Sequence, residues 1–258
     1  VADAPESPEA HLGFGVARAR LGRCALALDE FRDWSHSIAF GAKVALVAAH
    51  CASRQSRYDD AVAFTLTALE KRPDSRTALA RLALDADLLG DRVLRDTAIE
   101  YLWYVNPAQD EALFAEAALA LRQGDLGAFD MYDAMWRREG RASEEMNRMR
   151  ARSWLDVGDP VEAYAELRKG GSKLKRGAES RLMMAETTRR LGQLLDASRA
   201  LSGALQVKLT GADSDAVNAR ILVDSGDLGG ASALLSGYES EVDEEMIASR
   251  WYLARARG

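Results

Sequence analysis

The chain has 258 residues, 48% of them apolar and 29% charged, with a formal net charge of −6. That balance belongs to a soluble globular protein and argues against disorder. It leaves no basic footprint for nucleic acid, and no window reaches the roughly 18 to 20 continuous apolar residues that cross a bilayer.

Residues 1–7 read as an N-terminal extension. The opening VADAPESPEA lacks the basic start and apolar core of a signal peptide, and there is no initiator methionine. The sequence therefore reads as a segment cut from a longer chain or as a mature form. The bacterial periplasm and the cytoplasm both stay open as its location.

From residue 8 the chain is periodic. Gly22, Ser56, Gly90, Gly124, Gly158, Gly192 and Gly226 stand 34 residues apart, and Asp91, Asp125, Asp159 and Asp227 follow four of them. Self-similarity at that period marks a helix–turn–helix solenoid. Glycine ends a first helix in the left-handed conformation without steric cost, and aspartate then caps a second helix. The frame gives seven repeats, 8–41, 42–75, 76–109, 110–143, 144–177, 178–211 and 212–245. A terminal segment, 246–258, reads as a capping helix or as the first half of a further repeat. Between rungs the apolar spacing is helical, as in Leu79, Leu82, Ala83, Ala86 and Leu89. Pro73 and Pro107 mark two repeat ends. No strand pattern is visible, so the fold class is all-α, an α-solenoid of helix–turn–helix repeats.

Two further positions recur. Seven residues before each rung stand Gly15, Ala49, Ala83, Ala117, Ala151, Ala185 and Ala219, all small. Five residues after it stand Ala27, Ala61, Arg95, Phe129, Ala163, Ala197 and Ala231. Small side chains at both places let the two helices of a repeat approach closely. Cys24 and Cys51 have no metal-ligand spacing. They read as small buried residues or as a disulfide, which would imply an oxidising compartment.

The third and fourth repeats break the pattern. Arg95 and Phe129 fill the small position and Asp133 replaces an apolar residue, so either the helix slips or the pair opens. A one-residue slip would turn Ala128, Met131, Tyr132 and Met135 inward. The same stretch holds Tyr101, Trp103, Tyr104, Phe114, Phe129, Tyr132 and Trp136, read either as core compensation or as a binding surface. The fifth repeat ends early at Gly170 and Gly171, amid Arg168, Lys169, Lys173, Lys175 and Arg176. That basic group reads as a solvated turn or as a docking patch for an acidic protein or an anionic membrane surface, which leaves peripheral membrane association open. In the terminal helix Met246, Trp251 and Tyr252 are expected to pack inward, with Glu244, Glu245 and Arg255 facing water.

The 34-residue period, the small residue before the turn, the glycine turn, the alanine after it and the unit-end prolines together resemble the tetratricopeptide repeat family along essentially the whole chain. The consensus aromatics are sparse, with Phe14, Phe31, Tyr58, Trp154 and Tyr238 in or near their slots. The resemblance implies a right-handed α-solenoid with a concave groove lined by the first helices. Residues placed on it are Leu12, Val16, Arg20, Leu46, His50, Arg54, Leu84, Phe114 and Arg122, an apolar floor edged by arginines, and then the charged Arg148 and Arg152. Such a groove suits a peptide with apolar anchors and acidic flanks, or it is an ordinary hydrated surface whose arginines pair with neighbouring acids. The implied function is a non-enzymatic scaffold with a protein or peptide partner. Alternatives are a periplasmic segment of a bacterial polysaccharide export or secretion machine, and a carbohydrate or small-ligand module built on the aromatic group.

No chemistry is legible. His11, His36 and His50 form no metal motif, and no nucleophile elbow, phosphate loop or dinucleotide fingerprint appears. No residue groups as acid, base and nucleophile in one frame. The expectation is no enzyme, no catalytic residue, no metal and no cofactor.

Overall fold

A computed structural model describes residues 7–105, 109–141, 144–169, 177–206, 211–238 and 244–257. The described residues form helices and turns, and they fall into two compact bodies. The N-terminal body is Val1–Leu119 with Ser240–Glu244; the C-terminal body is Ala120–Glu239 with Glu245–Gly258.

The N-terminal body contains α1 (Pro8–Arg20), α2 (Cys24–Asp33), α3 (Ala42–Arg54), α4 (Tyr58–Lys71), α5 (Arg76–Leu89) and α6 (Arg92–Val105), and most of α7 (Asp110–Arg122). The C-terminal body contains α8 (Leu126–Arg138), α9 (Glu144–Asp156), α10 (Pro160–Lys169), α11 (Ala178–Arg190), α12 (Leu194–Gln206) and α13 (Ala212–Asp224). It ends with α14 (Leu228–Leu235), a 3₁₀ turn at Ser236–Tyr238 and α15 (Glu244–Ala256). In seven consecutive helix pairs the first helix starts 34 residues after the last, from Pro8 to Ala212. The fold class is an all-α solenoid.

One turn is used seven times. Gly22, Gly90, Gly124, Gly158, Gly192 and Gly226 have φ between 74° and 88°, and Ser56 adopts 54°. In each case the N–H of the next residue donates to a carbonyl five residues back, as from Asp91 to Ala86 at 2.9 Å and from Asp159 to Trp154 at 2.8 Å. This closure satisfies carbonyls that a helix end otherwise leaves open. The aspartates then cap the second helices: Asp91 accepts from Leu94 N–H at 2.9 Å, Asp125 from Ala128 at 2.9 Å, Asp159 from Glu162 at 3.1 Å and Asp227 from Gly230 at 2.8 Å. Local backbone chemistry thus sets the period.

The recurrent small residues are all buried. Gly15 shows why bulk is excluded, since a Cβ there would lie 2.7 Å from the Phe31 ring. Phe31 packs edge-on to Phe40 at 6.4 Å between centroids, and Phe40 lies 5.8 Å from Phe64, which joins the first two repeats in one core. Cys24 and Cys51 are buried in that core and are not joined by a disulfide. The bridge that would have pointed to an oxidising compartment is not formed.

The irregular repeats are accommodated without a slip. Phe129 is fully buried and Trp136 nearly so, seven residues apart on one face of α8, while Met131 is exposed. The Arg150 guanidinium covers the Phe129 ring at 4.5 Å. Asp133 is held by Arg137 at 2.9 Å, which also donates to the buried Asn147 at 3.1 Å. Arg95 is half-buried and directs its guanidinium to Asp87 at 3.2 Å and Asp96 at 2.7 Å. A long side chain reaches the polar rim where alanine would simply pack.

The terminal helix corrects the expected facing. Met246, Ser249 and Leu253 are buried, whereas Trp251 is 60% exposed and Glu245 is drawn into an ion network. Met246 and Trp251 are five residues apart, about 140° around a helix, so they cannot share its inner face.

Candidate functional site

In the N-terminal body the groove positions of α1, α3, α5 and α7 differ widely in exposure. Leu12 belongs to the core and has no surface to offer a partner. Val16 and Leu46 are half-buried against the same core, and Leu84 and Phe114 are half-buried. Arg20 and His50 are exposed and Arg54 is half-buried. A polar chain crosses this face. Arg81 lies 3.2 Å from His50 Nδ1 and 3.9 Å from the buried Asp85, which accepts from Ser53 Oγ at 2.8 Å. A guanidinium can only donate, so His50 Nδ1 accepts and the ring proton sits on Nε2. Arg81 and Asp85 were not legible as site residues, because the apolar spacing of α5 hides a carboxylate on its inner face.

The C-terminal body treats the equivalent positions otherwise. Arg122 is exposed, and Arg148 pairs with Glu179. Arg152 donates to Asp156 at 3.0 Å and to Glu245 at 2.7 Å. Glu245 also accepts from Arg220 at 2.8 Å, and Arg220 lies 3.5 Å from Glu186. Glu186 is held by Arg189 at 2.9 Å and Arg190 at 2.7 Å. Arg189 continues to Asp224 at 2.7 Å, where the Tyr252 hydroxyl donates at 2.5 Å.

Four arginines and four carboxylates thus neutralise one another along α9, α11, α13 and α15. Burial pushes the Glu245 carboxyl up, but Arg220 and Arg152 outweigh it and hold the group at about 2. Burial likewise works against ionised Glu186, and its hydrogen bonds to Arg189 and Arg190 and the Arg220 charge bring it below the usual carboxylate range. The hydrogen bond to Asp224 raises Tyr252. Buried charges are tolerated only when paired in this way. Arg189, Glu245 and Tyr252 were missed as site residues; the signal available was the Glu186–Arg189–Arg190 spacing of three and four on one helix.

Of the basic group at the end of the fifth repeat, Arg168 lies over the Tyr164 ring at 5.7 Å and Lys169 pairs with the buried Glu166 at 2.6 Å. Lys173, Lys175 and Arg176 lie outside the described residues, as do Gly170 and Gly171. The aromatic group is divided in role. Phe129 and Trp136 are core, Trp103 donates from its indole to Glu116 at 3.4 Å, and Tyr101 and Tyr104 stack at 6.0 Å on the outside of α6. Among the described residues no three His, Cys, Asp or Glu side chains group as a metal site, and no helix is long and apolar enough to cross a membrane.

The succession of helix pairs has counterparts among solved structures. A tetratricopeptide repeat protein from Parabacteroides merdae ATCC 43184 superposes with a TM-score of 0.57 at 14% identity, over 97% of this chain and 99% of that one. The chain has the tetratricopeptide-repeat fold. PilW, a widely conserved type IV pilus biogenesis factor, matches with a TM-score of 0.50 at 16% identity, over 80% of this chain and 97% of that one. The Cut9–Hcn1 hetero-tetramer of the APC/C matches at 0.51 and 13% identity, over 96% of this chain but 52% of that one. No family model matches the sequence, and no curated protein is significantly similar to it. At these identities the likeness is one of tetratricopeptide-repeat architecture alone.

Proposed function

We propose that the chain is a non-enzymatic scaffold that holds a peptide segment of a partner protein along the first-helix face of its N-terminal body. The observation that carries this reading is a contrast between the two bodies. In the C-terminal body that face is occupied by the chain's own ion pairs from Arg152 to Tyr252. In the N-terminal body it keeps half-buried apolar side chains (Leu46, Leu84, Phe114) beside the exposed His50 and Arg20. A shallow apolar floor with basic edges favours a segment with one or two apolar anchors and acidic flanks. That one protein of this architecture, Cut9, is seen in a hetero-tetramer with Hcn1 fits the same reading.

The test is site-specific photo-crosslinking in the source cells, with the crosslinker placed at His50, and separately at Leu195 on the exposed side of α12. The reading expects a discrete partner adduct at position 50, none at 195, and loss of that adduct in Arg54→Glu. Equal adducts at both positions, or an adduct indifferent to Arg54→Glu in a folded protein, would overturn it.

A further inference from the structure

A second surface in the C-terminal body lies away from the ion network. On α11, Arg181, Met184 and Thr188 lie on the face opposite Glu186 and Arg190, by the 100° step of a helix. That face borders a cleft of about 790 Å³ between α10 and α12.

The cleft is basic in an acidic chain. Among the described residues that line it, Arg168, Arg181 and Arg199 face one carboxylate, Asp196, over the apolar surfaces of Tyr164 and Met184. Arg181 is fixed in the wall by donating to the Gly203 carbonyl, and a Cβ at Gly203 would come within 3.2 Å of it. Arg168 lies over the Tyr164 ring, 5.7 Å from its centroid. Arg199 is 78% exposed and pairs with Asp196 at 3.2 Å. An exposed pair of that kind contributes about 1 kcal/mol or less and exchanges readily for another carboxylate. Planar guanidiniums present paired N–H donors that match a carboxylate, and the volume falls in the range of ligand sites.

We propose that this cleft is a second docking site, for a peptide segment that places an acidic side chain between Arg168 and Arg199 and an apolar side chain on Tyr164 and Met184. It is independent of the N-terminal groove and would let one chain hold two segments.

The test uses the full chain and fluorescence polarisation of a rhodamine-labelled six-residue peptide of alternating glutamate and leucine. The proposal expects saturable binding that weakens at least tenfold in Arg168→Glu and in Arg199→Glu, and at least tenfold when the glutamates become glutamines. Both sites are exposed, so unchanged circular dichroism is expected for both variants. All measurements are made in an Arg54→Glu background, which removes the groove's own affinity for an acidic segment, and there Arg92→Glu on α6 controls for general charge and should bind normally. No saturable binding in that background, equal loss in Arg92→Glu, or no loss at Arg168 and Arg199 would overturn it. Unlabelled octanoate displacing the peptide at equal or lower concentration would overturn the peptide as occupant in favour of a small organic anion.

Discussion

The Glu245 carboxylate lies between the guanidiniums of Arg152 and Arg220, accepting at 2.7 Å from one and 2.8 Å from the other. The two arginines are not equivalent. The Arg220 side chain is 7% exposed and that of Arg152 is 50% exposed. Removing a partner from a buried charge leaves it uncompensated, whereas the solvated one recovers water. Glu245→Ala is therefore expected to destabilise the chain by about 2–3 kcal/mol, and Arg152→Ala by less than about 1 kcal/mol. Urea unfolding followed by circular dichroism measures both. Equal losses would contradict the assigned asymmetry.

The same carboxylate predicts an acid limb. Its folded-state value is lowered from 4.5 to about 2, so the folded protein binds fewer protons there than the unfolded one. Its contribution is complete above about pH 4.5 and is lost as the pH falls toward 2. Glu186 acts in the same direction. Glu111, raised by burial and by its neighbour Asp110, acts in the opposite one. Stability measured between pH 5 and pH 3 should fall less steeply in Glu245→Gln than in the parent chain. Parallel slopes would remove Glu245 from the account.

Two glycines of α1 should respond oppositely to alanine. At Gly15 the new methyl group would meet the Phe31 ring at 2.7 Å, and overpacking of this kind costs about 1–3 kcal/mol. At Gly13 nothing lies within 4 Å, so alanine brings only its better helix propensity, a gain of roughly 0.5–1 kcal/mol. Thermal midpoints that move in the same direction would contradict the packing described for the first repeat.

The turn of the second repeat is the strained one. Ser56 adopts φ of 54° where the other six rungs are glycine. Ser56→Gly should be neutral to stabilising, by up to about 1 kcal/mol, because relief of left-handed strain is offset by the entropy glycine adds to the unfolded chain. Gly90→Ala, with φ of 85°, should cost about 1–2 kcal/mol. Denaturant midpoints of the two variants give the comparison.

The turns were legible because a positive φ and a capping carboxylate are local demands, met by two adjacent residues. The facing of α15 was not. Glu245 reads as a solvent residue until Arg152 and Arg220, distant in sequence, are brought to it. Trp251 reads as core until Met246 and Leu253 are seen to define another side of the helix. Phe129 is a similar case. Its bulk argued for a slipped helix, but the compensating contact is a guanidinium from α9, and pairing across helices carries no periodic signature. Of the groove residues, Leu12 was misplaced because the helical phase of α1 was inferred from the period, without knowledge of the Phe31 core it feeds.

A stack of repeats in which each touches only its neighbours can unravel from its ends, one repeat at a time. The contact from Arg152 to Glu245 spans 93 residues of sequence. It ties α15 to α9 across two intervening pairs, so α15 is held by more than its nearest neighbour. Opening of α15 should therefore be coupled to α9 as well as to α13, and Arg152→Ala should lower amide protection in α15 by no more than the small cost of that exposed contact.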